Sequence, residues 1–532
     1  MKVVIAEKIS RRGVELLKAE RWKVVEPSSG GELLRALKGA DALIVRSAVK
    51  VTAELLERAP ALRVVGRAGV GVDNVDLEAA TRKGVLVLNT PGGNAVSVAE
   101  HTLALMLSLA RAVPQANQSI KQGRWEKKLF VGRELREKTL GIIGLGRTGV
   151  EVAKRARALE MKVLTFDPYV APVVAAEANA ELVSRDRLLA ESDYISLHVT
   201  LTPETVGMIN AEALARMKPG VRLINCARGE LIDERALAEA ICAGKVAGAA
   251  LDVFAQEPPP AGHPLALLPQ VIVTPHIAGS TEEAQEIVGY RIAEQVREYL
   301  KNGLIIHAVN VPAPSPEEYR NLQPYLQLAE RLGAFAAQIV EGNQRAVRIT
   351  YSGKLAQMNT NVLRNAVLKG MLNRVLSEKA NLVNAASLAA DRGLRLEESR
   401  GRRAEFVDSV RVTLETDRTE AAAEGTVLHD GVPRLLAVDG IHVEAPLTGN
   451  LLFFKNADVP GVIGRIGTLL GRRHVNIANF SLGRRENKSG PGKRPAEAVA
   501  VVQYDGPHVP DSLLAELRKI PPVRFVRSVE IG

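Results

Sequence analysis

Hydrophobic positions over residues 2–91 fall into short β-branched runs: KVVIAE, KVVE, ALIVRS, LRVVGRAG and GVLVLN. Between them lie SRRGVELLKAE, GELLRALKG, TAELLERA and NVDLEAATRKG, in which apolar residues recur at helical spacing. Alternating strands and helices predict a parallel sheet covered by helices on both faces. The next segment, SVAEHTLALMLSLARA, predicts a long helix with an apolar face too wide for an exposed position.

A second series opens at TLGIIGLGRTG and continues through KVLTFDP, YISLHV, VRLINCA, GAALDVF and VIVTPH. These are continuous apolar strands of the kind buried on both faces. STEEAQEIVGYRIAEQVREYLKNG closes the block as a helix. Ser280 or Thr281 is placed to cap it, Glu282 and Glu283 suit its positive end, and Gly303 stands where a C-terminal cap belongs. The Pro-rich NVPAPSPEEYRN then reads as a linker. Residues 317–450 are helix-rich in the middle (NVLRNAVLKGMLNRVL) and strand-rich at the end (SVRVTLETD, TVLHDG), with no catalytic constellation. Residues 450–532 read βαββαβ, the split-βαβ ferredoxin-like order, with strands NLLFFKN, NIANFSLG, AEAVAVVQYD and VRFVRSVEI.

Composition narrows the function classes. In 532 residues, 46% are hydrophobic and 24% charged, as in ordinary globular proteins. The net charge of +10 invites a nucleic-acid reading, but aromatics are only 4% and no basic run is interleaved with them. The densest basic stretch, GRRENKSGPGKRP at 483–495, is rich in Gly, Pro, Ser and Asn and reads as a solvated loop. The charge therefore points to solubility and anionic small molecules, with no nucleic-acid partner. Two cysteines, Cys226 and Cys242, are too few for a disulfide framework and fit a reducing cytoplasm. No signal peptide, membrane span or metal cluster is expected.

The first chemical signal is LGIIGLGRTGVEVAKRARALEMKVLTFDP. Gly144, Gly146 and Gly149 have G-x-G-x-x-G spacing, follow a strand, open a helix and precede an acid, Asp167, at the next strand end. That context makes a dinucleotide site. Gly144 permits the turn, Gly146 admits the pyrophosphate, and Gly149 lets helix and strand pack. Asp167 would accept from the ribose hydroxyls and repel a 2′-phosphate, which favours NAD.

Three strand ends supply the second signal. LINCARGELID presents Arg228, GAALDVFAQEPP presents Glu257, and VIVTPHIAGST presents His276. Each residue alone is more often an ordinary ion-pair, turn or strand-end group. Together, beyond the carboxyl ends of strands in a dinucleotide domain, they form a dehydrogenase centre. His276 would exchange the hydroxyl proton, Glu257 would orient its ring, and Arg228 would hold a substrate carboxylate.

The motifs LIVRSAVKVT, GRAGVGVDNVD, NTPGGNAVSVAEH, GIIGLGRTG, NCARGELID, DVFAQEP and TPHIAGST resemble those of the D-isomer-specific 2-hydroxyacid dehydrogenases, and the likeness extends over essentially the whole chain. It implies Arg228, Glu257 and His276 as the catalytic set. It also implies NAD contacts at Val70, Gly144, Gly146, Arg147, Thr148, Gly149, Asp167, Thr200, Cys226, Ala227, Asp252, His276 and Gly279. The implied fold is α/β, with two doubly wound parallel-sheet domains. A flavodoxin-like substrate domain (1–97 and 286–312) would enclose a Rossmann NAD domain (98–285), followed by an α+β intervening domain (313–449) and a ferredoxin-like ACT domain (450–532). Dimerisation through the nucleotide domain, in a homodimer or homotetramer, is usual for the resemblance.

Arg46 and Ser47, ending ALIVRS, and Arg67, ending LRVVGRAG, lie at carboxyl ends of first-domain strands; Asn94 adds a donor near a helix start. With Arg228 they suit a phosphate plus a carboxylate. The triad alone would serve glyoxylate or hydroxypyruvate equally. The added domains of the resemblance favour 3-phosphoglycerate and the entry to serine synthesis. An NAD-sensing corepressor is the rival of another class, disfavoured by the intact triad. In the ACT region, Asp458 and Gly461 at a helix start and Asn476 before the next strand are candidate holders of an amino acid, with L-serine the natural one.

Overall fold

A computed structural model describes residues 1–312, 316–376, 379–401, 408–428, 431–485 and 496–532. The first sheet has five parallel strands. Their spatial order is Lys23–Val25, Lys2–Ile5, Ala42–Val45, Val64–Arg67 and Leu86–Leu88. The central strands are buried on both faces, which is why their sequences run apolar without alternation.

The second sheet has seven parallel strands in the order Val271–Val273, Val246–Leu251, Val221–Asn225, Tyr194–Leu197, Thr139–Ile143, Lys162–Phe166 and Glu181–Leu182. Strand order reverses at Thr139–Ile143, the first of the seven in sequence. Ligands of doubly wound sheets sit above the carboxyl ends at such a switch point. Glu181–Leu182 is a two-residue exposed edge strand too short to be read from the pattern.

Two helices join the layers. Ala95–Arg111 leaves the first sheet, and nine of its residues are buried. Glu282–Asn302 returns to it and buries Val288, Ile292 and Val296 against the core that contains Val64, Leu86 and Leu88. Thr281, rather than Ser280, caps this returning helix, its hydroxyl accepting from the Ala284 amide, and Gly303 ends it at φ 69°. No single helix among the described residues is long and apolar enough to cross a membrane.

The stretch read as a linker is shorter than expected, because a 24-residue helix begins at Pro316 and runs to Ile339. Proline at a first helical position is compatible with helix, since no N–H partner is needed there. The following region holds more sheet than expected: six strands in the order Arg395–Arg400, Gln344–Ser352, Ser409–Thr416, Glu420–Val427, Pro433–Val438 and Ile441–Pro446. The final sheet is antiparallel, in the order Ile477–Arg484, Glu497–Tyr504, Gly449–Ala457 and Val523–Ile531, with helices Val462–Arg472 and Asp511–Arg518. This is the expected ferredoxin-like arrangement. Residues 486–495 of the basic loop lie outside the described residues.

Candidate active site

Val221–Asn225, Val246–Leu251 and Val271–Val273 are adjacent and parallel, so the loops that follow them emerge side by side. His276 adopts a left-handed backbone at φ 53°. Its Nδ1 lies 2.7 Å from Glu257 Oε2, and Glu257 Oε1 accepts from the Phe254 amide at 3.2 Å. The carboxylate is thus fixed to its own loop and to the ring. With Nδ1–H donated to Glu257, Nε2 is the nitrogen left for a ligand. Both side chains are part-exposed, His276 at 50% and Glu257 at 38%. A histidine at a strand end does not by itself make a base. His198 ends Tyr194–Leu197, bonds Ser196 at 2.8 Å, and is pushed down to about 4 by burial.

Arg228 is held at two points. Its Nη1 donates to the Ala227 carbonyl at 2.7 Å and its Nη2 to Asp73 Oδ2, in the other domain, at 2.8 Å. Buried Asn225 braces the turn, donating to the Arg228 carbonyl at 2.7 Å and accepting from the Ala227 amide at 3.0 Å. The loop GRAGVGVD leaves room for this group. A Cβ on Gly71 would stand 1.9 Å from Arg228 Nη2, and one on Gly69 would stand 1.4 Å from Arg67 Nη1.

Arg67 and Arg46 share this cationic pocket. Burial, then the Arg228 and Arg46 guanidiniums, push Arg67 below its ordinary range, with Asp73 and Glu7 opposing. Arg67 Nε is buried without a hydrogen-bond partner, a costly state that an anion would relieve. The Glu7 carboxylate accepts from the amides of Arg46, Ala48 and Val49 at 2.8, 3.1 and 3.1 Å, which fixes the loop carrying exposed Ser47. Asn94 begins helix Ala95–Arg111 without a side-chain cap bond. Its amide lies against Gly279, where a Cβ would come within 2.7 Å.

The residues present fit a dinucleotide. Gly144 turns at φ 94°, and a Cβ on Gly149 would be 2.2 Å from the Gly144 carbonyl oxygen, so helix Arg147–Ala158 packs directly on its strand. No atom lies within 4 Å of where a Gly146 Cβ would project; this leaves an open cradle over the first amides of a helix, the geometry that receives a pyrophosphate. Asp167 accepts from the amides of Leu145 and Tyr169, both at 2.9 Å, leaving a lone pair on each oxygen for ribose hydroxyls. Arg147 lies across Gly92 of the first domain, whose Cβ would fall 2.5 Å from Arg147 Cδ. Thr148 is half-buried and the Thr200 side chain exposed. The Val70 carbonyl already accepts from Asn89 at 2.6 Å.

Two implied NAD contacts, Asp252 and Cys226, have buried side chains. Asp252 has no exposed surface. It accepts from Thr274 Oγ1 and from the amides of Ile277 and Ala278 at 2.5, 2.9 and 2.8 Å, with His101 Nε2 at 3.5 Å. Burial would raise its carboxyl, but the bonds from His101, Thr274, Ile277 and Ala278 outweigh that and hold it below the usual range. Its side chain therefore builds the turn that carries His276. The Cys226 side chain is likewise buried, its thiol pushed up to about 12 by burial. Sequence reading assigned no role to Asp73, His101 or Thr274, although GVDNVD, VAEH and VTPH contain them.

In the terminal domain, Gly461 (φ 88°) opens helix Val462–Arg472 as expected. The other two candidates have internal partners. Asp458 Oδ2 stands 3.5 Å from Arg484 Nε, and Asn476 Nδ2 donates to Asp505 at 2.6 Å.

The chain matches the NAD binding domain of D-isomer specific 2-hydroxyacid dehydrogenases over residues 103–278, the D-3-phosphoglycerate dehydrogenase intervening domain over 321–439 and the ACT domain over 450–521. It is 43% identical to a D-3-phosphoglycerate dehydrogenase of Archaeoglobus fulgidus, over all of both chains. It is 38% identical to that of Bacillus subtilis, over 100% of this chain and 99% of the relative. Solved structures similar to it include a glyoxylate reductase from Paecilomyes thermophila (30% identity, TM-score 0.52, 58% of this chain and 98% of that one). A Staphylococcus aureus NAD-dependent formate dehydrogenase in complex with NAD is equally similar (30% identity, TM-score 0.52, 58% and 99%). With its dinucleotide cradle, its Glu257–His276 pair and this likeness over its full length, the chain belongs to the D-3-phosphoglycerate dehydrogenases, within the D-isomer specific 2-hydroxyacid dehydrogenase family.

Proposed function

We propose that the protein oxidises 3-phospho-D-glycerate to 3-phosphohydroxypyruvate with NAD. The observation that carries the substrate is the set of three arginines, Arg46, Arg67 and Arg228, drawn from both domains close enough for their charges to act on Arg67, with the Arg228 loop packed at Gly229 against the loop that leads to Glu257. NAD, held over the Gly144–Gly149 turn and by Asp167, would supply the acceptor for the hydride of C2. His276 Nε2 takes the hydroxyl proton as the C2–O bond becomes a carbonyl. Glu257 keeps the ring in the tautomer that leaves Nε2 unprotonated and stabilises the imidazolium that forms. Arg228 holds the carboxylate and polarises the oxygen; Arg46, Arg67 and Asn94 are the groups that would hold the phosphate. Initial rates of NADH formation with 3-phosphoglycerate, beside reduction of glyoxylate and hydroxypyruvate, test the reading. A kcat/KM larger for glyoxylate than for the phosphorylated pair would replace it with the reductase reading, for which the Paecilomyes structure is the relevant likeness.

The same reading takes the protein to be a homodimer or homotetramer in the cytoplasm, with L-serine binding between ACT domains as a feedback inhibitor. The ACT match and the open helix start at Gly461 support it. An amino acid there would share Asp458 with Arg484 and Asn476 with Asp505 or displace them. Absence of calorimetric binding at millimolar serine would leave the domain an assembly element.

A further inference from the structure

We infer that Asp73 is a positioning residue of the reaction: it holds the Arg228 guanidinium in the cleft through an ion pair that crosses from one domain to the other. This rests on the dehydrogenase reading above, since it assigns Arg228 the substrate carboxylate. Nη2 of Arg228 lies 2.8 Å from Asp73 Oδ2 while Nη1 is bonded to its own loop at the Ala227 carbonyl. These two contacts fix the plane of the fork and leave Nε–H and the second hydrogens of both Nη groups for a ligand. The Arg228 side chain is 27% exposed and that of Asp73 65%, so the pair adds little to stability, and its role lies in orienting the guanidinium.

Charge argues in the same direction. Arg46, Arg67 and Arg228 share one region, and each of the other two depresses the Arg67 guanidinium. Unopposed, Arg228 would swing away from its neighbours. Asp73 and Glu7 are the anions that counter this field, and Glu7 is committed to the amides of residues 46, 48 and 49. Asp73 is thus the carboxylate that faces Arg228. Burial would raise it, but Arg228 and then Arg67 hold it below its usual range, so the charge persists at working pH. The backbone cooperates, because Gly71 leaves the space in which the Asp73 carboxylate and the Arg228 fork meet; a Cβ there would lie 2.6 Å from Asp73 Oδ2.

The test is a double-mutant cycle on the full-length enzyme. We expect Asp73→Ala to lower kcat/KM about 10- to 100-fold, the scale of a misplaced orienting group. NADH affinity, read by fluorescence, should stay within twofold. Asp73→Asn, which keeps the acceptor and loses the charge, should recover part of the loss. In an Arg228→Ala background, Asp73→Ala should change kcat/KM less than twofold. If that background is too slow to assay, the affinity of the enzyme–NADH complex for oxamate, an unreactive 2-oxo acid analogue, gives the same cycle. An equal loss in both backgrounds, or wild-type kcat/KM in Asp73→Ala, would overturn the assignment. So would a rise, which would make the pair a competitor that substrate displaces. The two readings fail separately: a wild type inactive on 3-phosphoglycerate sinks the substrate, whereas the oxamate cycle still reports on Asp73.

Discussion

Replacing Asp252 with Asn separates a residue that builds the His276 turn from one that touches the cofactor. In the wild type both carboxylate oxygens receive hydrogens: Thr274 Oγ1 and the Ile277 amide point at Oδ1, and the Ala278 amide at Oδ2. Asparagine presents one oxygen and one NH2, so whichever way it is placed at least one donor faces a donor. The site has no exposed surface, so water cannot take the orphaned hydrogen. Loss of a charge-assisted bond costs about 1.5–3 kcal/mol and a buried unsatisfied donor about 1–3 kcal/mol, which sets the expected destabilisation at about 3–5 kcal/mol if the turn stays closed. If it opens, the cost appears in catalysis, because His276 is on that turn and its amide bonds the Asp252 carbonyl at 2.8 Å. Urea unfolding with and without NADH, kcat, and NADH affinity are the measurements. The expected result is a lowered midpoint and a kcat reduced at least tenfold, with NADH affinity changed much less. A variant with wild-type midpoint and kcat that binds NADH tenfold more weakly would refute the argument and restore Asp252 as a cofactor contact. Acid should act on the wild type in the same way. The carboxyl is held below its unfolded value, so its contribution is complete above the ordinary carboxylate range and is lost as pH falls through the folded value.

His276→Ala should lower kcat about 10²- to 10⁴-fold, the usual contribution of a general acid–base group, with NADH binding retained; a loss below tenfold in stopped-flow turnover would remove His276 from the centre. Asp167→Asn should weaken NAD and narrow its advantage over NADP in a kcat/KM comparison, since the carboxylate that would repel a 2′-phosphate is gone; unchanged selectivity would assign the ribose to another group. Of the two cysteines, exposed Cys242 should react with a thiol reagent at pH 8 while Cys226, buried and with its thiol pushed up to about 12, stays unlabelled until the protein is denatured. Equal labelling rates by mass spectrometry would contradict that burial.

The parts of the site legible in the sequence are those whose spacing is local. Gly144, Gly146 and Gly149 constrain one turn, and Arg228, Glu257 and His276 each close an apolar run. Asp252 also closes an apolar run, yet its side chain points under the turn while that of His276 points into the cleft. The difference is a backbone orientation, φ 53° at residue 276, that the residue string does not display. The Asp73–Arg228 pair joins positions 155 residues apart in different domains; it exists only once both sheets have formed. The intervening domain failed for a related reason. Arg395–Arg400 is an exposed edge strand with charges on both faces, so its pairing with Gln344–Ser352 left no alternation to read. In helix Pro316–Ile339, prolines at 316 and 324 mask the period.

The groups that exchange the proton and hold the carboxylate belong to one domain and those that would hold the phosphate to the other, so turnover depends on how the two are joined. Helices Ala95–Arg111 and Glu282–Asn302 carry the chain across, and their starts are tied by Ser97 Oγ and Thr281 Oγ1 at 2.8 Å. Gly279, in the loop between His276 and that cap, rests on Asn94 at the other helix start. The base loop, the two helix starts and the donor loop 90–94 are therefore one connected unit. Arg228, Arg46 and Arg67 concentrate three positive charges, with Asp73 and Glu7 as partial relief. A phosphate and a carboxylate on one small molecule remove the rest of that repulsion, while an unphosphorylated 2-hydroxy acid removes less. On this argument the phosphate discriminates by relieving the repulsion that would misplace Arg228 as well as through its own contacts, so phosphate selectivity should appear in kcat and not only in KM.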